Sequence, residues 1–125
     1  KFRERVLRAY QEKCAMCRLA HRGLLDAAHI IPDSANDGEA SVSNGLALCK
    51  IHHAAFDQFF VGISPDLRIV VRKRLLEEVD GPMLRHGLQE LNGLKITVPR
   101  SSALRPSTHS LAYRFSEFER RLLDD

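Results

Sequence analysis

The sequence has no run of 18 or more apolar residues, and its first residues are charged where an export signal would have an apolar core. We therefore expect neither a membrane span nor a secretion signal. The chain also lacks an initiating methionine, from which we expect a domain that was cut from a longer protein. Internal repeats and low-complexity tracts are absent from the sequence as well.

Cysteine is scarce, with three residues in a chain of 125. An odd number argues against a closed disulfide framework and favours a reducing, cytoplasmic setting. The net charge of +3 is small, so it supports a polyanionic partner only weakly. Otherwise the composition is ordinary for a globular protein, with 44% hydrophobic and 28% charged residues. A length of 125 residues suffices for one domain with a modest core.

The hydrophobic pattern predicts a mixture of helices and strands. Apolar residues at helical spacing predict helices over residues 2–12, 52–60, 83–91 and 111–123. Short apolar runs that are bounded by glycine, proline or asparagine predict strands over 24–31, 46–48, 61–64, 67–72 and 94–98. The polar segments 33–43 and 100–110 are predicted to be loops.

Four residues of the types that bind zinc stand at paired spacing. Cys14 and Cys17 form one pair with two residues between them, and Cys49 and His52 form a second. Two such pairs are typical of one tetrahedral zinc site, because each turn brings two side chains to roughly 2.0–2.3 Å from one ion. A redox pair or chance would explain the first pair alone. Together the two pairs predict a structural zinc site.

A further histidine, His53, follows the last of these residues and stands four positions before Asp57. Residues at i and i+4 project from one face of a helix, so the two side chains can bind one divalent ion. A carboxylate suits Mg²⁺ or Mn²⁺, and an imidazole also admits Co²⁺, Ni²⁺ or Zn²⁺, so the pattern indicates a position and not an ion. A helix cap or a local salt bridge is the simpler alternative for Asp57.

His29 stands near the end of the predicted strand 24–31. Hydrolysis of a phosphodiester needs a base that deprotonates water, and an imidazole can do this near neutral pH. A satisfied core histidine is the plainer interpretation of His29 taken alone. Its occurrence together with Asn44, His53 and Asp57 favours the catalytic base.

These motifs resemble the HNH nucleases, the ββα-metal endonucleases, in the zinc-stabilised form found in restriction enzymes. The matching segments are Cys14-Ala15-Met16-Cys17, Ala28-His29-Ile30-Ile31-Pro32, Asn44-Gly45-Leu46-Ala47-Leu48-Cys49 and His52-His53-Ala54-Ala55-Phe56-Asp57. The resemblance implies an α+β fold, with a zinc-stapled ββα-metal core, flanking helices and an additional β-hairpin. It also implies one domain over residues 1–125, with its core at 14–60 and a C-terminal extension at 61–125.

In this resemblance the three letters of the family name fall on His29, Asn44 and His53. His29 would be the general base, Asn44 would hold the loop and hairpin in register, and His53 would bind a catalytic divalent ion (Mg²⁺, Mn²⁺, Co²⁺ or Ni²⁺). The implied activity is a DNA endonuclease that leaves 3′-hydroxyl and 5′-phosphate ends. As the cleavage module of a restriction enzyme, modification-dependent or not, it would take its specificity from another domain. Homodimer formation is left open.

The sequence departs from the family pattern at Ala28, where many members carry an Asp or His as a metal ligand directly before the base. Asp26 should point to the same side of the strand as Ala28, so it could assist the ion directly or through water. Two alternatives stay open. One is a catalytically silent zinc module that binds nucleic acid, which the loss of a ligand at Ala28 favours mildly. The other is a toxin-type HNH nuclease.

Overall fold

The computed structural model describes residues 1–32 and 41–123 of the chain, and these form an α+β domain. Its helices are α1 Phe2–Ala9, α2 Lys50–Asp57, α3 Lys73–Glu77 and α4 Thr108–Leu122. Its strands are β1 Leu25–His29, β2 Gly45–Cys49, β3 Val61–Ile63 and β4 Ile69–Val71. Short helical turns of other types occupy Arg22–Leu24, Val42–Asn44, Met83–Leu88, Gln89–Leu91 and Ser102–Leu104.

The strands β1 and β2 and the helix α2 form a ββα unit, as the sequence predicted. The strands pair antiparallel, with Leu25 opposite Cys49 and His29 opposite Gly45. Every residue of β2 is buried, since α1 and α2 both pack against this hairpin. Cys49 is the N-cap residue of α2, so the chain passes directly from the strand into the helix that carries His52, His53 and Asp57.

Helix α1 packs tightly on the hairpin at Gly45. A β-carbon at position 45 would lie 2.6 Å from Cγ2 of Val6, where something would have to shift, and 3.0 Å from Cζ of Phe2, a tighter contact than most β-carbons make. The hydroxyl of the buried Tyr10 donates a hydrogen bond to the Gly45 carbonyl at 3.1 Å. Gln11, with φ of 57°, leaves the helical conformation, so α1 is shorter than the predicted helix 2–12.

The strands β3 and β4 form the additional hairpin, with Val61 opposite Val71. Helix α4 covers it where Phe118, which is 1% exposed, lies against Gly62. A β-carbon at position 62 would be 2.7 Å from Cγ of Phe118, so this close approach also depends on glycine. The hairpin and α4 thereby extend the ββα core into one continuous structure.

Three predictions of secondary structure need correction. The predicted strand 94–98 is wrong, because the N–H groups of Ile96 and Thr97 bond to the carbonyls of Leu67 and Ala15 in turns. Strand pairing is limited to one isolated bridge between Arg68 and Lys95. The predicted helix 83–91 is a π-type turn followed by a 3₁₀ turn. Helix α3 was not predicted at all. Most of the predicted loop 33–43 lies outside the described residues.

Among the described residues, no helix combines the length and the apolar character that crossing a membrane requires.

Candidate functional site

The two predicted zinc pairs come together at the start of α2. The ligand atoms of Cys14, Cys17, Cys49 and His52 all lie within 4.8 Å of one another, and all but the exposed Cys17 are buried. In a tetrahedral zinc site with bonds of about 2.0–2.3 Å, ligand atoms are roughly 3.3–3.8 Å apart. The cluster could therefore hold a metal ion such as zinc with only small adjustments of its side chains.

The orientation of the His52 ring fits this role. Its Nδ1 lies 3.2 Å from Sγ of Cys49 and 3.7 Å from Sγ of Cys14, while its Nε2 lies 2.6 Å from the Gly87 carbonyl oxygen. A carbonyl can only accept, so Nε2 must donate to Gly87. The lone pair of Nδ1 in the neutral ring then faces the sulfur atoms, which is the tautomer that a metal ligand needs.

The charges of the cluster also favour a bound cation. Hydrogen bonds from Cys17 and Cys49 hold the pKa of the Cys14 thiol well below its usual range. Burial alone would lower the pKa of His52, but hydrogen bonding to Cys14 and Cys49 raises it to about 10. The site thus favours a thiolate at Cys14 beside positive charge on His52, and a zinc ion held by these residues would take the place of the proton on Nδ1.

His53 lies between two carboxylates. Its Nε2 is 3.1 Å from Oδ2 of Asp57, one helical turn later, and its Nδ1 is 2.8 Å from Oδ2 of Asp26 on β1. The ligands of an ion at about 2.1 Å are roughly 3 Å apart when they are adjacent in an octahedron. Nε2 of His53 and the Asp57 carboxylate therefore stand at a separation that suits two neighbouring ligands of one divalent ion.

Asp26 contacts the ring nitrogen that faces away from Asp57. Its other oxygen, Oδ1, lies 2.5 Å from Nζ of Lys50. Burial raises the pKa of Asp26, but hydrogen bonds from His53 and Lys50 outweigh it and the net shift is downward. In this geometry the ionised Asp26 orients the His53 ring, and it does not join Nε2 and Asp57 in one ligand group.

His29 is the last residue of β1 and is half-buried. Its ring stacks on the ring of Phe2, with centroids 4.1 Å apart and 8° between the planes. Among the described residues the His29 ring makes no hydrogen bond. Within the described part of the chain, no hydrogen bond or ring contact joins His29 to His53.

Asn44 ties the end of β1 to the start of β2. Its Oδ1 accepts a hydrogen bond from the Ile31 backbone N–H at 2.9 Å, and its Nδ2 donates to the Ile31 carbonyl at 3.0 Å. The Asn44 carbonyl also accepts from the Ile30 N–H at 2.9 Å. With 1% of its surface exposed, this side chain satisfies a backbone pair that would otherwise be buried without partners.

Arg114 of α4 lies next to the candidate site, a position that the sequence did not reveal. Its guanidinium donates to the Phe56 carbonyl at 2.8 Å and lies 4.4 Å from the centroid of the Phe56 ring. Burial lowers the pKa of Arg114, and the nearby Asp57 carboxylate opposes that shift. Arg114 thereby caps the C-terminal end of α2, which carries Asp57.

Comparison with known proteins adds three findings. Residues 14–64 match the model of a family described as HNH endonuclease. Among solved structures, the chain is similar to "Modification dependent TagI restriction endonuclease", with 19% identity, a TM-score of 0.63 and coverage of 93% of this chain. The chain spans only 36% of that protein, and the low identity limits the likeness to the fold. Curated proteins gave no match.

Proposed function

We propose that this chain, whose residues 14–64 match the HNH endonuclease family, is a member of that family and hydrolyses phosphodiester bonds of DNA with His29 as general base. The observation that carries the proposal is the pair formed by His53 and Asp57, whose ligand atoms are 3.1 Å apart on α2. This pair follows the zinc-type cluster directly in the chain and lies within the segment that matches the family. The two sets of ligands are separate, so one can stabilise the fold while the other serves catalysis.

In this proposal each residue acts through chemistry that its type can supply. His29 takes the proton of the attacking water, and its stacking on Phe2 limits the orientations of its ring. His53 and Asp57 would hold a divalent ion, which when bound neutralises charge on the phosphate and the leaving oxygen. Asp26 keeps Nε2 of His53 directed at that position through its bond to Nδ1.

Asn44 is the third residue of the proposed catalytic set, and its contribution is positional. It joins the segment after His29 to the residue before β2, and β2 leads into α2. The general base and the metal pair lie at the two ends of this connection. A fixed separation between them is what in-line attack of water on a phosphate requires.

The full-length context is also a proposal. We propose that the chain is the cleavage module of a restriction endonuclease whose sequence or modification specificity resides in another domain. The structurally similar restriction endonuclease supports this, since the chain spans 36% of that protein and leaves room for further domains there. The expected products carry 3′-hydroxyl and 5′-phosphate ends.

One observation favours a second candidate, a zinc module that binds nucleic acid without cutting it. Ala28 is 1% exposed and offers no ligand, and within the described residues no further Asp, Glu, His or Cys completes a group of three with His53 and Asp57. Weak binding of the divalent ion would follow from so few protein ligands. A catalytically silent chain would bind DNA equally well with and without added ions and would leave it intact.

The experiment that separates these candidates is an incubation of supercoiled plasmid with the purified protein and Mg²⁺, Mn²⁺, Co²⁺ or Ni²⁺. The proposed function predicts nicked or linear DNA that depends on the added ion. DNA ligase should reseal the nicks directly, because it needs a 5′-phosphate beside a 3′-hydroxyl. Intact plasmid with every ion, including DNA that carries modified bases, would reject the nuclease and favour the silent module.

A further inference from the structure

A cavity of about 510 Å³ lies beside the proposed metal pair, between the end of α2 and helix α4. Asp57 and Phe59 line it from the α2 side, and Tyr113, Glu117 and Arg121 line it from α4. Helix α4 lies outside residues 14–64, so the family match assigns no role to the residues that α4 contributes to this cavity.

The cavity wall contains one aromatic ring in contact with two guanidinium groups. The centroid of the Phe59 ring is 4.2 Å from Cζ of Arg114 and 4.1 Å from Cζ of Arg121. Phe59 adopts φ of 63°, a left-handed conformation that is unfavourable for a residue with a side chain. The fold therefore holds this ring in position against a backbone cost.

The two guanidinium groups differ in the hydrogen-bond donors that remain available for a ligand. Arg114 is buried and donates to the Phe56 carbonyl, so it serves the helix end. Arg121 is exposed and makes no ion pair among the described residues. A guanidinium that lies on an aromatic ring keeps its N–H donors in its own plane, where they can bind an oxyanion.

The carboxylates of the cavity do not cancel this charge. Glu117 is bound to Arg120, with oxygen and nitrogen 2.7 Å apart, and Arg120 does not line the cavity. Asp57 directs Oδ2 at Nε2 of His53, 3.1 Å away, so its carboxylate is engaged on α2. Among the described residues that line the cavity, Arg121 is therefore the exposed cation without an ion pair.

We propose that this cavity binds a phosphate group of the DNA strand next to the one that is cut, with Arg121 as the donor and Phe59 as its support. A guanidinium matches two phosphate oxygens at once, and the position beside Asp57 keeps the bound strand close to the metal pair. The identity of the polymer as DNA rests on the proposed function. The binding site itself does not depend on cleavage.

The test measures DNA affinity without added divalent ion, so that no cleavage is needed. A fluorescein-labelled duplex is titrated with protein from about 50 to 200 mM KCl, and log Kd is plotted against log salt concentration. Arg121→Ala should weaken binding on the order of tenfold at low salt for any sequence. It should also reduce the salt slope by about 0.9, the value for one phosphate contact on a duplex.

Two further variants make the result specific. Arg120→Ala removes a neighbouring arginine of α4 that Glu117 already binds, and it should leave the affinity and the slope near the wild-type values. Arg121→Lys keeps the charge and should retain most of the salt slope. It also provides a second measurement at this position if the Arg121→Ala protein folds poorly. Melting curves of all variants establish that they are folded.

An Arg121→Ala protein with the wild-type salt slope would overturn the proposal. An equal loss of affinity and slope in Arg120→Ala would also overturn it, because the effect would then come from the general positive charge of α4 and not from one site. Failure of the proposed function gives a different pattern. A protein that never cuts DNA but shows the Arg121-dependent slope would reject the nuclease and keep the phosphate site. If the wild-type protein cuts DNA and Arg121→Ala leaves the salt slope unchanged, the nuclease is kept and the phosphate site is rejected.

Discussion

The imidazole of His29 lies parallel to the phenyl ring of Phe2, with centroids 4.1 Å apart and 8° between their planes. Phe2 belongs to α1, outside the ββα core, and reaches His29 because Gly45 stands opposite His29 on β2. A β-carbon at position 45 would lie 3.0 Å from Cζ of Phe2. The proposed general base is therefore positioned by a helix that precedes the core, through a gap that only glycine leaves open.

Replacement of Phe2 by leucine should lower kcat by roughly tenfold and leave KM nearly unchanged, because the stack orients the base and does not contact substrate. Single-turnover cleavage over a range of DNA concentrations separates the two constants. Phe60→Leu is the matched control, since Phe60 is 42% exposed and its ring lies against Arg72 and not against His29. A Phe2→Leu protein with wild-type kcat would show that the stack has no role in positioning.

Gly45→Ala should destabilise the domain by about 1–3 kcal/mol, because the new methyl group would overlap Val6 and force α1 away from the hairpin. Gly23→Ala provides the comparison. A β-carbon at position 23 would meet no atom within 4 Å, so that variant should be as stable as the wild type or slightly more stable. Urea unfolding gives the free energy of unfolding of both variants. Equal values for the two would contradict the close contact at Gly45.

Metal analysis of the purified protein should give about one tightly bound zinc per chain, held by Cys14, Cys17, Cys49 and His52. Cys49→Ser should lower the zinc content and the melting temperature together, because the ion joins the segment after α1 to the start of α2. Treatment with a strong chelator should have the same effect on the wild type. Zinc-free protein that melts at the same temperature would exclude a structural zinc.

The two carboxylates beside His53 should differ in their effects on ion dependence. Asp57→Ala should abolish cleavage or raise the Mn²⁺ concentration for half-maximal rate, because it removes a proposed ligand. Asp26→Asn should have a smaller effect, since loss of an orienting partner costs roughly 10–100-fold in metal affinity or activity. Zinc content should not change in either variant. A larger effect of Asp26→Asn than of Asp57→Ala would locate the ion at Nδ1 of His53, beside Asp26.

The sequence was most informative where chemistry depends on local spacing. The zinc pairs and the i, i+4 pair of His53 and Asp57 follow from turns and helices within a few residues, and the structure brings each pair together. The order strand, strand, helix followed from short apolar runs and helical periodicity. These features need no knowledge of tertiary packing.

Contacts between distant segments were beyond such reasoning. Arg114 caps α2 from α4, and Gly87 accepts from His52 through a turn, and neither residue carries a local pattern that marks it. The segment 94–98 has the composition of a strand, but its N–H groups bond to the carbonyls of Leu67 and Ala15 in loops. Its conformation is decided by these tertiary partners and not by its own propensity.

The central claim is that His29 is the base of a metal-dependent DNA hydrolysis, and the most direct measurement compares plasmid cleavage by wild type, His29→Ala and His21→Ala. His21 is an exposed histidine outside the proposed site, so its variant should cut like the wild type. His29→Ala should lose on the order of 10²–10⁴-fold in rate while zinc content, melting temperature and DNA affinity stay near the wild-type values. Undiminished cleavage by a folded His29→Ala protein would contradict the account.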